Sequence, residues 1–235
     1  MKNCVAFLFT LIISSYCYSQ YKKPDFNSID WNVQFIEAST VDSLALKLTS
    51  PYKTDIEKVR AIFSWITQHI SYNVNIFNSR RPLNIKYNQV KEDTSSLIKS
   101  ADEIVAQIVL DRRVAVCDGY ARLFKTLCEY SGIQSQIISG FSPDYVSRSR
   151  SFRTNHSWNA VMIDSAWRLI DVTWASGFVN YSDDYVQHLD ESYFLANPSR
   201  FIYDHYPEDP QWSLLPEPPF FNEYKATPFK FKTFA

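Results

Sequence analysis

"HSWNAVMIDSAWRLIDVTW", residues 156–174, decides how this chain is built, because it reads as two strands folded back on each other. Asp164-Ser165 stands between "HSWNAVMI" and "AWRLIDVTW" as a two-residue hairpin loop. With those residues as the loop, Ile163 pairs with Ala166 and every later partner is fixed. His156 is then expected opposite Thr173, and Asp171 opposite Trp158 on the same side of the sheet. Diagonal neighbours of that kind lie ~7–8 Å apart between Cα atoms, within side-chain reach. A slip of one residue would undo the alignment.

Working outward, "SQIISGFS" at 135–142 reads as a further strand, which Ser142-Pro143-Asp144 turns. Upstream of Ile133 the period becomes helical. Val41, Leu44, Ala45 and Leu48 recur at helix spacing until Pro51 closes the element. Thr54 and Glu57 form a capping box ahead of a stripe of Ile56, Val59, Phe63, Ile66 and Ile70. Ser100 and Glu103 repeat that pattern before a short helix with Ile104, Val105, Ile108 and Val109. The next helix starts at Cys117 and stops at Ser131-Gly132, glycine being common just past a helix end. Residues 20–38 read as a polar, partly extended lead-in, and 75–95 as a long loop of the kind that often carries function. Residues 200–235, rich in proline and aromatics, are expected to wrap the sheet. Helices first and strands after imply an α+β domain, its N-terminal helices packed on an antiparallel sheet.

The 235 residues are 46% hydrophobic, enough for one core, and a single domain is expected over 20–235. A net charge of −1 gives no basic footprint for nucleic acid. "MKNCVAFLFTLIISSYCYSQ", residues 1–20, has the basic start, apolar run and small polar end of a secretory signal peptide, residues 1–19, cleaved after Ser19. Its apolar run is too short to span a bilayer, so no mature transmembrane helix is expected. Lipid anchoring at Cys17 is the lesser alternative, because bulky Tyr16 is unfavourable before it. The chain reads as exported, periplasmic or extracellular.

Export raises a question at Cys117. Once Cys4 and Cys17 have left with the signal, only Cys117 and Cys128 remain. On one helix they sit ~16 Å apart along the axis, whereas a disulfide needs Cα atoms within ~7 Å. Cys117, Tyr120, Ala121, Phe124, Leu127 and Cys128 trace one helix face. Asp118, Arg122, Lys125 and Glu129 trace the other, a solvated face with i,i+4 pairs. Cys117 is thus expected on the core side of the helix N-terminus, where backbone N–H groups and the helix dipole favour a thiolate. Gly119 leaves room there for another backbone or a substrate. A thiolate nucleophile needs a proton carrier, and His156 is the candidate; His69, His188 and His205 show no chemical context. Asp171 would fix the imidazole tautomer and stabilise the imidazolium. Without such a partner, burying its carboxylate between Ile170 and Val172 would be costly. Cys128 reads as a core thiol, and Trp158, Trp167 and Trp174 as sheet packing. No CxxC, HxxxH or clustered carboxylate spacing points to a metal, and no cofactor is called for.

"VCDGYARLF" (116–124), "NHSWNAVMI" (155–163) and "WRLIDVTW" (167–174) resemble the Cys, His and Asp motifs of the transglutaminase-like superfamily, whose fold is related to papain-type cysteine proteases. "DIEKVRAIFSWITQHISYN" (55–73) is similar to the segment that precedes this core in bacterial members, and "YFLANPSRFIYDHYPEDPQWSLL" (193–215) to the one that follows it. The resemblance covers about 54–215. It implies a papain/transglutaminase-like core in which Cys117 is the nucleophile, His156 the general base and then acid, and Asp171 the orienting group. The implied chemistry is acyl transfer at an amide: a thioester forms and water or an amine resolves it. The implied partner is a peptide or protein, cell-wall peptide included, and hydrolysis is preferred because a single domain shows no second site for an amine donor. Since the superfamily includes members that have lost activity, a catalytically inactive module binding peptide or cell wall stands as the alternative. Members often carry glycine shortly before the cysteine, where this chain has Arg113-Val114-Ala115-Val116. The Cys117 N–H is the expected first oxyanion donor; Tyr72, Gln107 and Trp174 are open candidates for a second.

Overall fold

The structure, a computed structural model, describes residues 24–75, 100–142 and 154–226. The expected signal at 1–19 and all but the first residue of the expected loop at 75–95 lie outside them.

The centre of the helical layer is α3 (Asp55–His69). Its capping box is complete: the Thr54 hydroxyl accepts from the Glu57 N–H, and the Glu57 carboxylate accepts from the Thr54 N–H at 3.1 Å. Burial runs unbroken from Val59 to Thr67, so this helix is covered all round rather than along the expected stripe alone. One cover is α1 (Phe26–Val33), where an extended lead-in was expected. Asp25 caps it by accepting from the Ser28 N–H, and Ile29 and Val33, one turn apart, are buried. Eight residues with Asn27, Asp30 and Asn32 among them make a weak helix alone, so packing on α3 sustains it. The second cover is α2 (Val41–Thr49), whose Val41, Leu44, Ala45 and Leu48 are buried as expected.

Inside this layer Arg60 is only 1% exposed. Its guanidinium pairs with Asp30 of α1 at 2.5 Å and with Glu191 at 2.6 Å, and lies 4.9 Å from the Phe194 ring centroid. Burial opposes the charge, but the two carboxylates outweigh that and hold the guanidinium above its ordinary range.

After α3 the chain enters β1 (Ser71–Tyr72), which pairs in parallel with β2 (Val114–Ala115). Between them α4 (Ala101–Arg112) starts at Ser100, whose hydroxyl accepts from the Glu103 N–H, and ends at Arg113. Arg113 has φ 58°, a left-handed conformation that favours glycine. Here its side chain offsets the strain: the guanidinium lies 4.6 Å from the Trp65 ring and pairs with Glu37. An arginine anchored on Trp65 of α3 and on Glu37 thus holds the left-handed position four residues before Cys117.

The sheet has the strand order β5–β4–β3–β8, all antiparallel: β3 (Ser135–Phe141), β4 (His156–Ile163), β5 (Ala166–Ile170) and β8 (Tyr206–Pro207). The hairpin register is the expected one, Ile163 opposite Ala166 and onward to Asn159 opposite Ile170. It stops there. Thr173 and Trp158 have no ladder partners of the kind expected for His156 and Asp171, because residues 172–176 form a short helix, α6 (Val172–Ser176). A small ribbon of β6 (Gly177–Val179) and β7 (Tyr185–Gln187) follows. Two further short helices, α7 (Pro198–Phe201) and α8 (Phe221–Ala226), belong to the C-terminal stretch. That stretch adds β8 to the edge of β3 and seats Tyr206 and Tyr224 against Phe141 and Phe221. Gly140, opposite His156 on β3, is obligatory: a Cβ there would lie 2.3 Å from the Trp158 ring and 2.3 Å from the Tyr206 carbonyl.

Between the layers runs α5 (Cys117–Tyr130). Tyr120, Ala121, Phe124, Leu127 and Cys128 are buried, and Arg122 and Lys125 on the other face pair with Asp118 and Glu129 as expected. Both bases also reach Asp102 of α4, which ties the two helices together. Asn159 of β4 donates to the Ala121 carbonyl at 3.0 Å, fixing helix to sheet. Gly119 does not open space for a substrate: a Cβ would meet the Ala115 Cβ at 2.9 Å and the Val109 Cγ2 at 3.0 Å, so the gap is filled by α4 and β2. Among the described residues no helix is long and apolar enough to cross a membrane.

Candidate active site

Val116 is the N-cap of α5, and its apolar side chain accepts nothing from the first turn. Helices α1, α3, α4 and α6 all have a side-chain oxygen in that role. The Gly119 and Tyr120 amides of α5 are taken by the Val116 carbonyl, and the Cys117 and Asp118 amides at its start have no side-chain cap. Its start is held from outside. The Ser71 N–H donates to the Arg113 carbonyl, the Asn73 N–H donates to the Ala115 carbonyl, and the Tyr120 hydroxyl donates to the Ile70 carbonyl at 2.6 Å. Cys117 is half-buried, while Cys128, eleven positions on, is fully buried, and burial pushes that thiol well above its ordinary range.

The first residue of β4, His156, stands near enough to Cys117 for the thiol to help raise its imidazole. Its Nε2 lies 2.6 Å from Asp171 Oδ2. With Nε2 engaged, Nδ1 is the nitrogen left for the sulfur. Asp171 reaches His156 by a route that differs from the expected strand pairing. It terminates β5 and caps α6, its Oδ1 accepting from the Thr173 and Trp174 N–H groups at 2.8 and 3.0 Å. Its own N–H donates to the Tyr193 carbonyl. An aspartate competes with the ladder in this way because its side chain can take the next amides itself.

His205 was given no chemical context by sequence reading. Its Nε2 lies 2.8 Å from the same Asp171 Oδ2, and its Nδ1 2.7 Å from Asp204 Oδ1. Its ring stacks on Phe201 at 4.0 Å and meets Trp174 edge-on at 4.6 Å. The only sequence signal was its place in the aromatic segment that resembles the one following the core; the contact itself joins residues 34 positions apart. His69 holds the carbonyls of Trp65 and Gln34 and stacks on Trp65, a structural role.

All four acceptor positions of Asp171 are thus filled, and the residue is fully buried. Burial alone would raise its acid, but His156 and His205 outweigh that and hold it well below the usual carboxylate range. Burial likewise disfavours a charged His156 ring, yet Asp171 and Cys117 overcome the penalty and hold it up at about 10. One ligand atom each from His156, Asp171 and His205 lie within 4.8 Å of one another, as metal ligands would. The N···O separations of 2.6 and 2.8 Å instead fit shared protons, since ligand atoms around a tetrahedral zinc stand about 3.4 Å apart.

Trp158 is buried against Phe201 and His205, in agreement with a packing role, and Trp167 meets Trp212 edge-on. Trp174, half-buried, lies 5.5 Å from the His156 ring. Gln107 is removed from the site: it binds the Val41 N–H, the Ser39 carbonyl and Asp111, joining α4 to the start of α2. Of the other two candidates, Trp174 stands beside His156 and Tyr72 pairs with Ala115, two residues before Cys117.

A profile described as the transglutaminase-like superfamily matches residues 42–172, more than half of the chain. The chain belongs to the transglutaminase-like superfamily. Its helices on an antiparallel sheet are the papain/transglutaminase-like α+β architecture expected. Kyphoscoliosis peptidase of Homo sapiens is 33% identical over 189 residues, 79% of this chain and 26% of that protein. Hillarin of Drosophila melanogaster is 30% identical over 222 residues, 87% of this chain and 24% of that protein. A solved TGase aligns with a TM-score of 0.37 and 18% identity, covering 77% of this chain and 40% of that one. The chain therefore spans about a quarter of the length of the curated relatives it matches. The transglutaminase-like match includes Cys117, His156 and Asp171 and ends before His205.

Proposed function

We propose that this chain is an exported bacterial thiol enzyme that cleaves or transfers acyl groups at amide bonds of peptides or proteins, with Cys117, His156 and Asp171 as its catalytic set. The observation that carries the reading is the 2.6 Å bond between the His156 Nε2 and the buried Asp171 carboxylate, with Cys117 near enough to raise that imidazole. In the proposed reaction the Cys117 sulfur attacks the amide carbon, and the carbonyl oxygen takes the negative charge beside the uncapped amides of α5. His156 gives its proton to the leaving nitrogen, the C–N bond breaks, and a thioester remains. Water then attacks the thioester, His156 takes back a proton, and the C–S bond breaks to release the acid; an amine in place of water gives transfer. Export is supported by the pattern of residues 1–20.

Protein collected from the cell exterior should begin near Gln20 and its Cys117 should be alkylated by iodoacetamide below pH 8.5. His156→Ala should slow that alkylation roughly tenfold or more, the scale of a lost proton-transfer partner. Equal rates in the two proteins would overturn the enzyme reading in favour of an inactive peptide- or wall-binding module. Recovery only as an uncleaved intracellular chain would overturn export.

A further inference from the structure

We propose that His205 is a fourth, positioning residue of this site, sharing the Asp171 carboxylate with His156 and so setting how firmly the His156 proton is held. The inference deepens the proposed function and rests on it.

Three observations carry it. Both imidazoles meet one and the same oxygen, His156 Nε2 at 2.6 Å and His205 Nε2 at 2.8 Å from Asp171 Oδ2. The other oxygen is committed to two backbone amides of α6, so the carboxylate cannot turn to meet His156 with a fresh oxygen. And the far side of His205 is fixed, with Nδ1 on Asp204 Oδ1 while the Tyr193 hydroxyl donates to Asp204 Oδ2 at 3.0 Å. A side chain packed merely to fill space would not need both ring nitrogens on carboxylate oxygens. The row runs Cys117, His156, Asp171, His205, Asp204, Tyr193, and all of these but Cys117 and Asp204 are buried.

The consequence follows from charge sharing. A carboxylate oxygen that accepts two N–H bonds is a weaker acceptor for each than one that accepts a single bond. With His205 in place, His156 is oriented by Asp171 yet keeps a proton it can release to a leaving group. Without the His205 donor, Oδ2 loses an anchor and turns wholly to the His156 Nε2–H, strengthening that bond but drawing the ring from the sulfur, so that Nδ1 is worse placed to take and return the thiol proton.

Two replacements separate positioning from packing. His205→Gln keeps an N–H where Nε2 stood, and His205→Phe keeps the ring against Phe201 but has no donor. Alkylation of Cys117 in the full chain is followed against pH, beside the ring N–H proton resonance of His156. His205→Phe should slow alkylation roughly tenfold, the scale of one lost charge-assisted hydrogen bond, and move the His156 N–H resonance downfield. His205→Gln should restore most of the rate and the native resonance. Asp204→Asn, which keeps an acceptor for Nδ1 but removes its charge, should shift the same resonance in a folded protein even if His205→Phe unfolds. Native rates and resonance in the Phe and Asn variants overturn the proposal, as do equal losses in Phe and Gln with the His156 resonance unmoved. Failure of the underlying reading is distinct: there His156→Ala itself leaves alkylation unchanged.

Discussion

His156 holds its charge where there is no water to share it, so its proton is bound by folding. Its folded value of about 10 stands above the ordinary 6.5, because Asp171 and Cys117 outweigh burial. A group raised in this way stabilises the fold fully below pH 6.5, and the contribution disappears as pH climbs towards 10. Asp171 is displaced in the opposite sense, so its contribution is present above its ordinary 3.8 and is lost only in strong acid. Denaturant unfolding of native protein and His156→Gln should therefore differ most below about pH 6.5, and the gap should narrow above it and close by about pH 10. A gap that stayed constant across that range would mean the imidazole is held neutral. Cys117, His156 and Asp171 could be named from sequence because short motifs mark them, although His156 and Asp171 meet at a helix cap and not through the strand pairing the hairpin suggested. His205 could not, since its meaning lies wholly in a contact between distant segments.

At the scale of elements, the register of β4 and β5 could be read from the Asp164-Ser165 loop, but the point where pairing stops could not. "AWRLIDVTW" looks like one strand; the break at Asp171 arises because its carboxylate takes the amides of Thr173 and Trp174. The helix α1 was missed for the converse reason: its own residues are poor helix formers and α3 supplies the stability. Gly119 is a case where packing overrules propensity. An alanine within α5 would by itself add up to ~1 kcal/mol of helix stability. Its Cβ would meet Ala115 at 2.9 Å and Val109 at 3.0 Å, however. Overpacking of that kind costs about 1–3 kcal/mol. Gly119→Ala should thus lower stability by about 1 kcal/mol in urea unfolding, and slow Cys117 alkylation by displacing β2. A stabilised variant would show that α4 and β2 can give way.

Across the whole molecule, Arg60 links parts that no local pattern connects. It joins α1 through Asp30 and the segment after β7 through Glu191, two residues before Tyr193, whose carbonyl accepts the Asp171 N–H. Arg60→Ala should cost about 2–5 kcal/mol, the range for emptying the space of a large buried side chain. Arg60→Met should lose less, since it fills the space and both carboxylates can reach water. Denaturation midpoints of the two variants test the order, and an Ala variant as stable as the native protein would remove the clamp from the account. For anyone wishing to fish out a binding partner with a silenced bait, the double duty of Asp171 matters. A replacement there dismantles the end of a strand and the cap of a helix together with the acid. Cys117→Ala takes away the sulfur alone and leaves the decoy standing.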